Sequence, residues 1–349
     1  MLGITEEIQN RLEKANDLEG KIKVLLEAKI PDVMYNVVQD DVEVVPDIAL
    51  IQCFHGTNIA RIRATTTAIE FNLQMTRRPS SWIFVECQRK KEDCAFKWLE
   101  KYGIKHHFIQ AKEENEPLML KQSLWNFGTT LCSESRLCFV DSDVVMCNSD
   151  WIEKIAKRFE EGYEVLSLAA HQYYQFVEDC KFHDTIGYVW ETRGEKNRHV
   201  GFTMGFTRKA FREFGGFDAV IHHFDDVNTY HRLFGHTFRD LGCWRCNIAN
   251  LRLDDGHYEG YNLKFSYADN IACHIWHGEE PEKNYWGLSR LIWDSGLHSV
   301  YDVIEWKGRD PKVLPKWRTD TGRSRAMRSA IQAYYENYTK TPVEGFDPV

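Results

Sequence analysis

Residues Leu137–Cys147 read LCFVDSDVVMC, an apolar run followed by two aspartates one residue apart and by a second apolar run. The first run predicts a buried strand that ends at Val140. At the end of a strand the chain turns, so that Asp141 and Asp143 approach one divalent cation and the phosphate oxygens bound to it. A solvated turn is the alternative interpretation, because aspartate and serine are common in turns.

Short apolar runs near this segment alternate with helical patterns. Strands are predicted at Ile48–Phe54 (IALIQCF), Trp82–Cys87 (WIFVEC), His107–Gln110 (HFIQ) and Arg136–Val140 (RLCFV). Helices are predicted between them, at Ala60–Leu73, Glu92–Tyr102 and Leu118–Leu131. This alternation predicts an α/β fold with a mainly parallel central sheet flanked by helices. Ligands of such sheets bind at the carboxyl ends of the strands, which here means after Phe54, Cys87 and Val140.

The composition argues against several classes of protein. The 349 residues carry a formal net charge of −8, which does not favour a general nucleic-acid or anionic-membrane surface. No apolar stretch of about 18 residues is present, so no membrane span is predicted. The first residues carry acids where a signal peptide needs an apolar run, and the ten cysteines are irregularly spaced. We therefore expect a cytoplasmic protein with reduced thiols.

Three further motifs accompany the Asp-Ser-Asp segment. They are Lys121–Gly128 (KQSLWNFG), Gly215–Asp218 (GGFD) leading into Phe224–Leu233 (FDDVNTYHRL), and Cys273–Gly278 (CHIWHG). Their order and spacing resemble GT-A fold glycosyltransferases, in particular the β-1,4-galactosyltransferase-like enzymes and related family 2 members. The resemblance covers about residues 47–295. It implies a hexosyltransferase-type enzyme that uses a nucleotide sugar and binds Mn²⁺ or Mg²⁺.

The resemblance also implies a set of metal and nucleotide ligands. Asp143 is similar to the family's direct metal ligand, and Asp141 to its ribose-binding or water-mediated partner. Asn126 matches a helix asparagine that helps to shape the nucleotide pocket. His277 matches the family's metal-binding histidine, and His274 stands where some members have another ligand. For both histidines, a place in an aromatic core is the alternative interpretation.

An acidic pair is expected to carry the catalysis. Asp225 stands where the family has glutamate, and Asp226 where it has the catalytic aspartate. Sugar transfer develops negative charge on the leaving diphosphate, which a divalent cation offsets. The acceptor hydroxyl needs a general base; we assign this role to Asp226, with inversion at the anomeric carbon, and acceptor binding to Asp225. A helix cap without catalysis is the alternative for this pair.

The nucleotide contacts follow less closely from the resemblance. His55 follows the first strand, in a segment where the family often has proline and arginine and this chain does not. Arg61 or Arg63 is expected to supply the missing phosphate or uracil contact, and Glu86 to meet the base or ribose; a rim salt bridge is the alternative for each. Gly205 is expected to pass close to the donor sugar, because a residue without a side chain allows close approach. UDP is the nucleotide that the resemblance favours.

The chain is expected to have three parts. Apolar residues at helical spacing predict a helix over residues 4–30, and residues 1–46 are interpreted as an N-terminal helical appendage. Residues 47–300 are interpreted as the GT-A catalytic domain, with a nucleotide-binding half at 47–150 and an acceptor half at 151–300. Residues 301–349 are interpreted as a basic C-terminal extension.

Two other functions compete with transfer to a glycan or glycoside. Residues 306–328 contain eight lysines and arginines, two aspartates, and the tryptophans Trp306 and Trp317. Such a tract suits nucleic-acid binding, and hence a glycosyltransferase that modifies a DNA base; a solvated tail is the alternative. The third function is a sugar-binding protein without catalysis, against which the intact acidic set argues.

Overall fold

The computed structural model describes eleven segments of the chain. They are residues 42–56, 58–115, 118, 120–175, 180–194, 203–217, 225–234, 260–275, 303–305, 314–319 and 321–340. The helix predicted over residues 4–30 lies outside these segments.

A seven-stranded sheet forms the centre of the described chain. The strands in the described segments are, in chain order, β1 (Val44–His55), β2 (Arg78–Gln88), β3 (Lys105–Gln110), β4 (Arg136–Val140), β5 (Val144–Met146), β6 (Val165–Ser167), β7 (His171–Gln175), β8 (Cys180–Asp184), β9 (Thr203–Thr207), β10 (Phe265–Tyr267), β11 (Ile271–His274), β12 (Ile304–Glu305) and β13 (Lys316–Trp317). The large sheet has the order β10-β6-β9-β4-β1-β2-β3. Only β9 runs antiparallel to its neighbours in this sheet, which confirms the prediction of a mainly parallel sheet.

Helices cover both faces of the large sheet. They are α1 (Ile59–Asn72), α2 (Lys121–Gly128), α3 (Trp151–Glu160), α4 (Ile186–Arg193), α5 (Arg208–Phe214), α6 (Asp225–Phe234) and α7 (Gly322–Lys340). Successive β1 side chains point to opposite faces, so Ile51 packs in one core with Leu124 of α2. Leu50 packs in the other core with Ile69 of α1 and Ile155 of α3. The predicted α/β architecture is therefore confirmed.

A second, four-stranded sheet adjoins the site. Its order is β5-β11-β7-β8, with β11 antiparallel to β5 and parallel to β7. The chain enters it directly from the large sheet, because β4 ends at Val140 and β5 begins at Val144. The Asp-Ser-Asp segment is the connection between the two sheets.

The helix predicted at Glu92–Tyr102 is wrong. Two 3₁₀ turns occupy this region instead, at Lys91–Asp93 and Lys97–Tyr102. Between them, the backbone amides of Ala95 and Phe96 donate to the buried carboxylate of Glu86, at 2.8 and 3.2 Å. Amides bound to a side chain cannot make the i to i−4 bonds of an α-helix, so the helix is interrupted there.

The C-terminal part, for which the sequence analysis predicted a basic extension and no helix, contains an α-helix, α7. Among residues 322–333 of this helix, whose burial is described, the buried ones are Ser324, Met327 and Ile331. Met327, Ile331 and the neighbouring Trp317 belong to the same core as α2 and α5. One buried residue per helical turn or fewer is enough to pack this helix against the core. It is too few for the helix to be recognised in the sequence from apolar periodicity.

None of the helices in the described segments is long and apolar enough to cross a membrane.

Candidate active site

The Asp-Ser-Asp segment is a tight turn held from several sides. The amide of Val144 donates to the carbonyl of Asp141 at 3.1 Å, which closes the turn. The hydroxyl of Ser142 lies 3.2 Å from that of Thr65 on α1, so the middle residue faces the protein interior. The turn lies at the carboxyl end of β4, where the sequence predicted it. This geometry fixes the backbone from which both carboxylates extend.

His274 lies beside Asp143. Strand β11 pairs with β5 so that His274 is opposite Val144, and the amide of Ile275 donates to the Asp143 carbonyl at 2.9 Å. The His274 Nε2 atom is 3.6 Å from Asp143 Oδ1, and the two side chains are 13% and 8% exposed. This separation exceeds an ordinary hydrogen bond. Two ligands of one cation, each about 2.0–2.2 Å from it, lie about 3.0–3.6 Å apart.

His277, the other predicted metal ligand, lies outside the described residues, and its role stays a prediction. The structure brings together Asp143 and His274, which the sequence analysis ranked as the additional ligand. Strand pairing between β5 and β11 is the cause, and it joins segments about 130 residues apart in the chain.

Lys121 is a site residue that the sequence analysis missed. Its ammonium lies 3.0 Å from Oδ1 and 3.1 Å from Oδ2 of Asp141, and 4.9 Å from the centre of the Trp125 ring. Both partners of the ion pair are largely buried, with side chains 13% and 17% exposed. Lys121 is the first residue of the KQSLWNFG motif, so the signal was in the quoted sequence. It places a positive charge beside the predicted phosphate site.

His55 lies at the end of β1, near the positively charged side chains of Lys121 and Arg61. Although the residue is part-exposed, its Nε2 atom is buried and has no hydrogen-bond partner in the described segments. Burial, together with the charges of Arg61 and Lys121, lowers the pKa of His55 to about 3. The imidazole is therefore neutral at physiological pH. Arg61 Nη1 donates to the His55 carbonyl at 3.4 Å; Arg61 is part-exposed and Arg63 is exposed.

Asn126 connects helix α2 to the GGF segment. Its Nδ2 donates to the carbonyl of Phe217 at 2.9 Å, and its Oδ1 accepts from the Phe217 amide at 3.0 Å. Gly216 has φ +78°, and a Cβ there would lie 3.0 Å from Asn126 Oδ1. Glycine is needed both for this conformation and for the close approach. Asn126 thus holds a loop, and the contact with a nucleotide stays a prediction.

Helix α6 carries the acidic pair at its first two positions, Asp225 and Asp226, of which the structure describes the backbone. The helix is anchored by Arg232, which is 2% exposed and donates to the carbonyls of Gly216 at 3.0 Å and Phe214 at 2.6 Å. This anchor lies in the C-terminal half of the helix, two turns from the acidic pair. Capping and catalysis at the acidic pair both stay predictions.

The prediction that Glu86 contacts the base or ribose is wrong for this structure. Glu86 is fully buried, and His106, Gln88 and the amides of Ala95 and Phe96 all donate to it. The alternative of a salt bridge at the rim is wrong as well, because the carboxylate has no exposed surface. Its position at the end of β2 was predicted correctly, but its side chain turns inward.

The assignment of Gly205 to the donor sugar is also corrected. Gly205 lies on β9, between β4 and β6, opposite Cys138 and Leu166. A Cβ at this position would be 2.7 Å from Leu168 Cδ2 and 3.0 Å from Phe159 Cζ. The absent side chain makes room for the core under α3 and not for a ligand.

The basic stretch 306–328 is only partly described. Trp317 is 2% exposed and packs in the core, so this ring is not available to stack on a base. Lys316 lies 3.5 Å from Glu305, and Arg328 lies 3.5 Å from Glu113. Trp306 is outside the described residues. These observations remove one of the two aromatic residues on which the nucleic-acid interpretation relied.

No family profile matches the chain, and no curated protein matches it. Among solved structures, Staphylococcus aureus TarS 1–349 in complex with UDP-GlcNAc is similar at 12% identity and a TM-score of 0.41, covering 70% of this chain and 65% of that chain. The same TarS segment with UDP has 13% identity and a TM-score of 0.40 over 70% and 64% of the two chains. A further TarS structure has 12% identity and a TM-score of 0.35 over 73% and 40%. Because these identities and TM-scores are low, the function is inferred below from this chain's own residues.

Proposed function

We propose that this chain is a metal-dependent, inverting glycosyltransferase of the GT-A type. It transfers a sugar, of the hexosyl class, from a nucleotide-sugar donor to a hydroxyl group on a glycan or glycoside, and a UDP-sugar is the first donor to test. The observation that carries the proposal is the pair formed by Asp143 and His274, 3.6 Å apart at the carboxyl end of β4.

The residues of the turn fit a divalent cation. Asp143 and His274 offer an oxygen and a nitrogen at a separation suited to a shared ion, in a site that is largely buried. Asp141 adds a second carboxylate on the same turn, held by Lys121. When bound, Mn²⁺ or Mg²⁺ would offset the negative charge that grows on the leaving diphosphate. His277 is a further candidate ligand from its position in the sequence.

Two cationic side chains and one neutral imidazole would receive the diphosphate and nucleotide. Lys121 and Arg61 are positively charged, and both lie close enough to His55 to depress the pKa of its imidazole. An anionic ligand near them would be attracted by these two positive charges. The buried, unpartnered Nε2 of His55 would gain a hydrogen bond from a donor group of the ligand.

The transfer step would use the acidic pair of α6. The acceptor oxygen bonds to the anomeric carbon while the bond from that carbon to the diphosphate oxygen breaks, and the electron pair leaves with the diphosphate. Asp226 takes the proton of the acceptor hydroxyl, and Asp225 holds the acceptor. Attack from the face opposite the leaving group inverts the anomeric centre.

Binding of UDP and UDP-GlcNAc, with and without Mn²⁺, tests the donor site. Near hundredfold saturation a ligand stabilises the folded state by about 2.7 kcal/mol, which a thermal shift detects. Asp143→Ala should lose the Mn²⁺-dependent part of the shift, and His274→Ala and His277→Ala should weaken it. Asp150→Ala is the matched control: it removes a nearby, half-exposed carboxylate that pairs with Lys154 at 3.0 Å, and it should bind as the wild type does.

Turnover separates the transferase from a sugar-binding protein. Release of UDP from UDP-sugars, alone and with a panel of glycoside acceptors, should require Mn²⁺ or Mg²⁺ and stop in EDTA. Full activity in the chelator would refute the metal assignment. Tight binding of UDP-sugars without any turnover would indicate a sugar-binding protein and not an enzyme.

A further inference from the structure

A second group of potential metal ligands lies away from the Asp-Ser-Asp turn. Glu86, Cys94 and His106 each direct one ligand atom into a common space, and these atoms all lie within 4.8 Å of one another. Glu86 is fully buried and the side chain of His106 is 6% exposed, whereas Cys94 is part-exposed. The group is thus enclosed on the protein side and open toward solvent at the thiol.

Three different elements build this group. Glu86 is near the end of β2, and His106 is on the neighbouring parallel strand β3, where Phe84 is its register partner. Cys94 lies on the connection between the two strands, at the end of the first 3₁₀ turn. Amides of the next two residues, Ala95 and Phe96, donate to the Glu86 carboxylate and hold the thiol in place. The connection is therefore wrapped around the carboxylate.

The ligand types indicate a particular class of metal. A thiolate, an imidazole and a carboxylate together suit Zn²⁺, whereas Mg²⁺ and Ca²⁺ prefer oxygen ligands alone. In a tetrahedral zinc site with these bond lengths, ligand atoms lie about 3.3–3.8 Å apart. The ligand atoms all lie within 4.8 Å of one another. The shortest separation, 2.8 Å between His106 Nε2 and Glu86 Oε2, is that of a hydrogen bond, so these two atoms would move apart by about 0.5–1 Å to share an ion.

We propose that Glu86, Cys94 and His106 form a zinc site, with water in the fourth tetrahedral position. Two negative ligands and one neutral imidazole would balance the charge of the ion. The site is distinct in residues and in chemistry from the Mn²⁺ or Mg²⁺ site proposed at Asp143. It would clamp the connection between β2 and β3 onto the edge of the large sheet.

Proton balance follows from the metal-free state. Burial and the neighbouring carboxylate of Glu86 raise the pKa of Cys94 to about 11, so the free thiol keeps its proton at neutral pH. Zn²⁺, when bound, would displace that proton to the buffer, and His106 would ligate through Nε2 with its ring proton on Nδ1.

The zinc site would stabilise the part of the candidate active site where the nucleotide is proposed to bind. Gln88 donates from Nε2 to Glu86 at 3.2 Å and to the carbonyl of Gly56 at 2.8 Å. Gly56 immediately follows His55 at the end of β1. The Gln88 side chain thus connects the proposed zinc ligand Glu86 to Gly56, next to His55. Zinc would support the shape of this edge without touching the donor.

Titration of the full chain with Co²⁺, used as a spectroscopic substitute for Zn²⁺, tests the proposal. Wild-type protein should show one equivalent of tetrahedral cobalt absorption with a thiolate-to-cobalt charge-transfer band, displaced by Zn²⁺. Cys94→Ser should lose the charge-transfer band, and His106→Gln should weaken Co²⁺ binding at least tenfold. Asp143→Ala should keep the band, because only the thiolate site produces it; this separates the zinc site from the proposed transferase metal.

Two matched controls complete the test. Cys132→Ser removes another part-exposed thiol, and His107→Gln removes the neighbouring imidazole on β3; both variants should bind Co²⁺ as the wild type does. Wild-type protein without a charge-transfer band at one equivalent would overturn the proposal, and so would a band that persists in Cys94→Ser. Circular dichroism of each metal-free variant verifies that it is folded.

Discussion

Replacement of Arg232 by methionine removes the anchor of helix α6 while keeping its apolar stem. The guanidinium donates to the carbonyls of Gly216 and Phe214 and lies 3.9 Å from the centre of the Phe214 ring. The Phe214 carbonyl keeps a second donor, the Tyr261 hydroxyl at 3.4 Å, so mainly the Gly216 carbonyl loses its partner. One such loss with a charged donor costs about 1.5–3 kcal/mol, and the cation–π contact adds about 0.5–1 kcal/mol. Arg232→Met should therefore lower the free energy of unfolding by about 2–4 kcal/mol.

Urea unfolding followed by tryptophan fluorescence measures this loss as a shift of the midpoint. Arg232→Lys is the matched variant: it keeps the charge but cannot donate to both carbonyls in a fork, so it should fall between the wild type and Arg232→Met. Transfer activity should fall in the same order, because the displaced helix carries Asp225 and Asp226 at its first positions. A loss below about 0.5 kcal/mol in Arg232→Met, within the range of ordinary surface substitutions, would refute this account of the anchor.

The remaining predictions concern the acidic pair and His55. Asp226→Asn keeps the size and much of the capping ability of the residue but cannot act as a base, so turnover should fall by about 10²–10⁴ with little change in stability; near-wild-type turnover would assign the position to capping alone. A large loss in Asp225→Asn instead would exchange the two roles. For His55, the folded pKa of about 3 lies below the ordinary value of 6.5, so its contribution to stability is present above pH 6.5 and is lost as the pH falls toward 3. Wild-type protein should therefore lose about 1.4 kcal/mol more per pH unit than His55→Gln over this window, and parallel urea midpoints from pH 7 to 5 would contradict the buried, neutral imidazole.

The alternation of apolar runs and helical patterns was enough to predict the central sheet. Strands β1 to β4 contain the predicted runs, and α1 and α2 lie where helices were expected, because these segments bury whole faces of apolar side chains. The small sheet could not be predicted in this way. Its strands are three to five residues long, and its pairing joins β5 to β11 across most of the second half of the chain.

The errors at individual residues have one physical origin. The prediction for Glu86 assumed that a polar residue at a strand end faces solvent, but local amides and His106 satisfy it inside the protein. Gly205 was interpreted as room for a ligand, although the space is filled by Leu168 and Phe159. Lys121 was overlooked because its partner, Asp141, is 20 residues away. In each case the side-chain environment depends on contacts between distant segments, which local patterns do not specify.

The Asp-Ser-Asp turn also has a mechanical consequence. Asp141 directly follows a strand of the large sheet and Asp143 directly precedes a strand of the small one. An ion held at Asp143, with Asp141 bound to it through water, would therefore link the two sheets at the turn. Any twist of one sheet against the other changes the distance between the two carboxylates, and tighter coordination resists that twist in return. Binding of an ion at the turn should therefore stiffen β5 and β11. Hydrogen exchange should slow at the amides of these strands, although they do not contact the substrate.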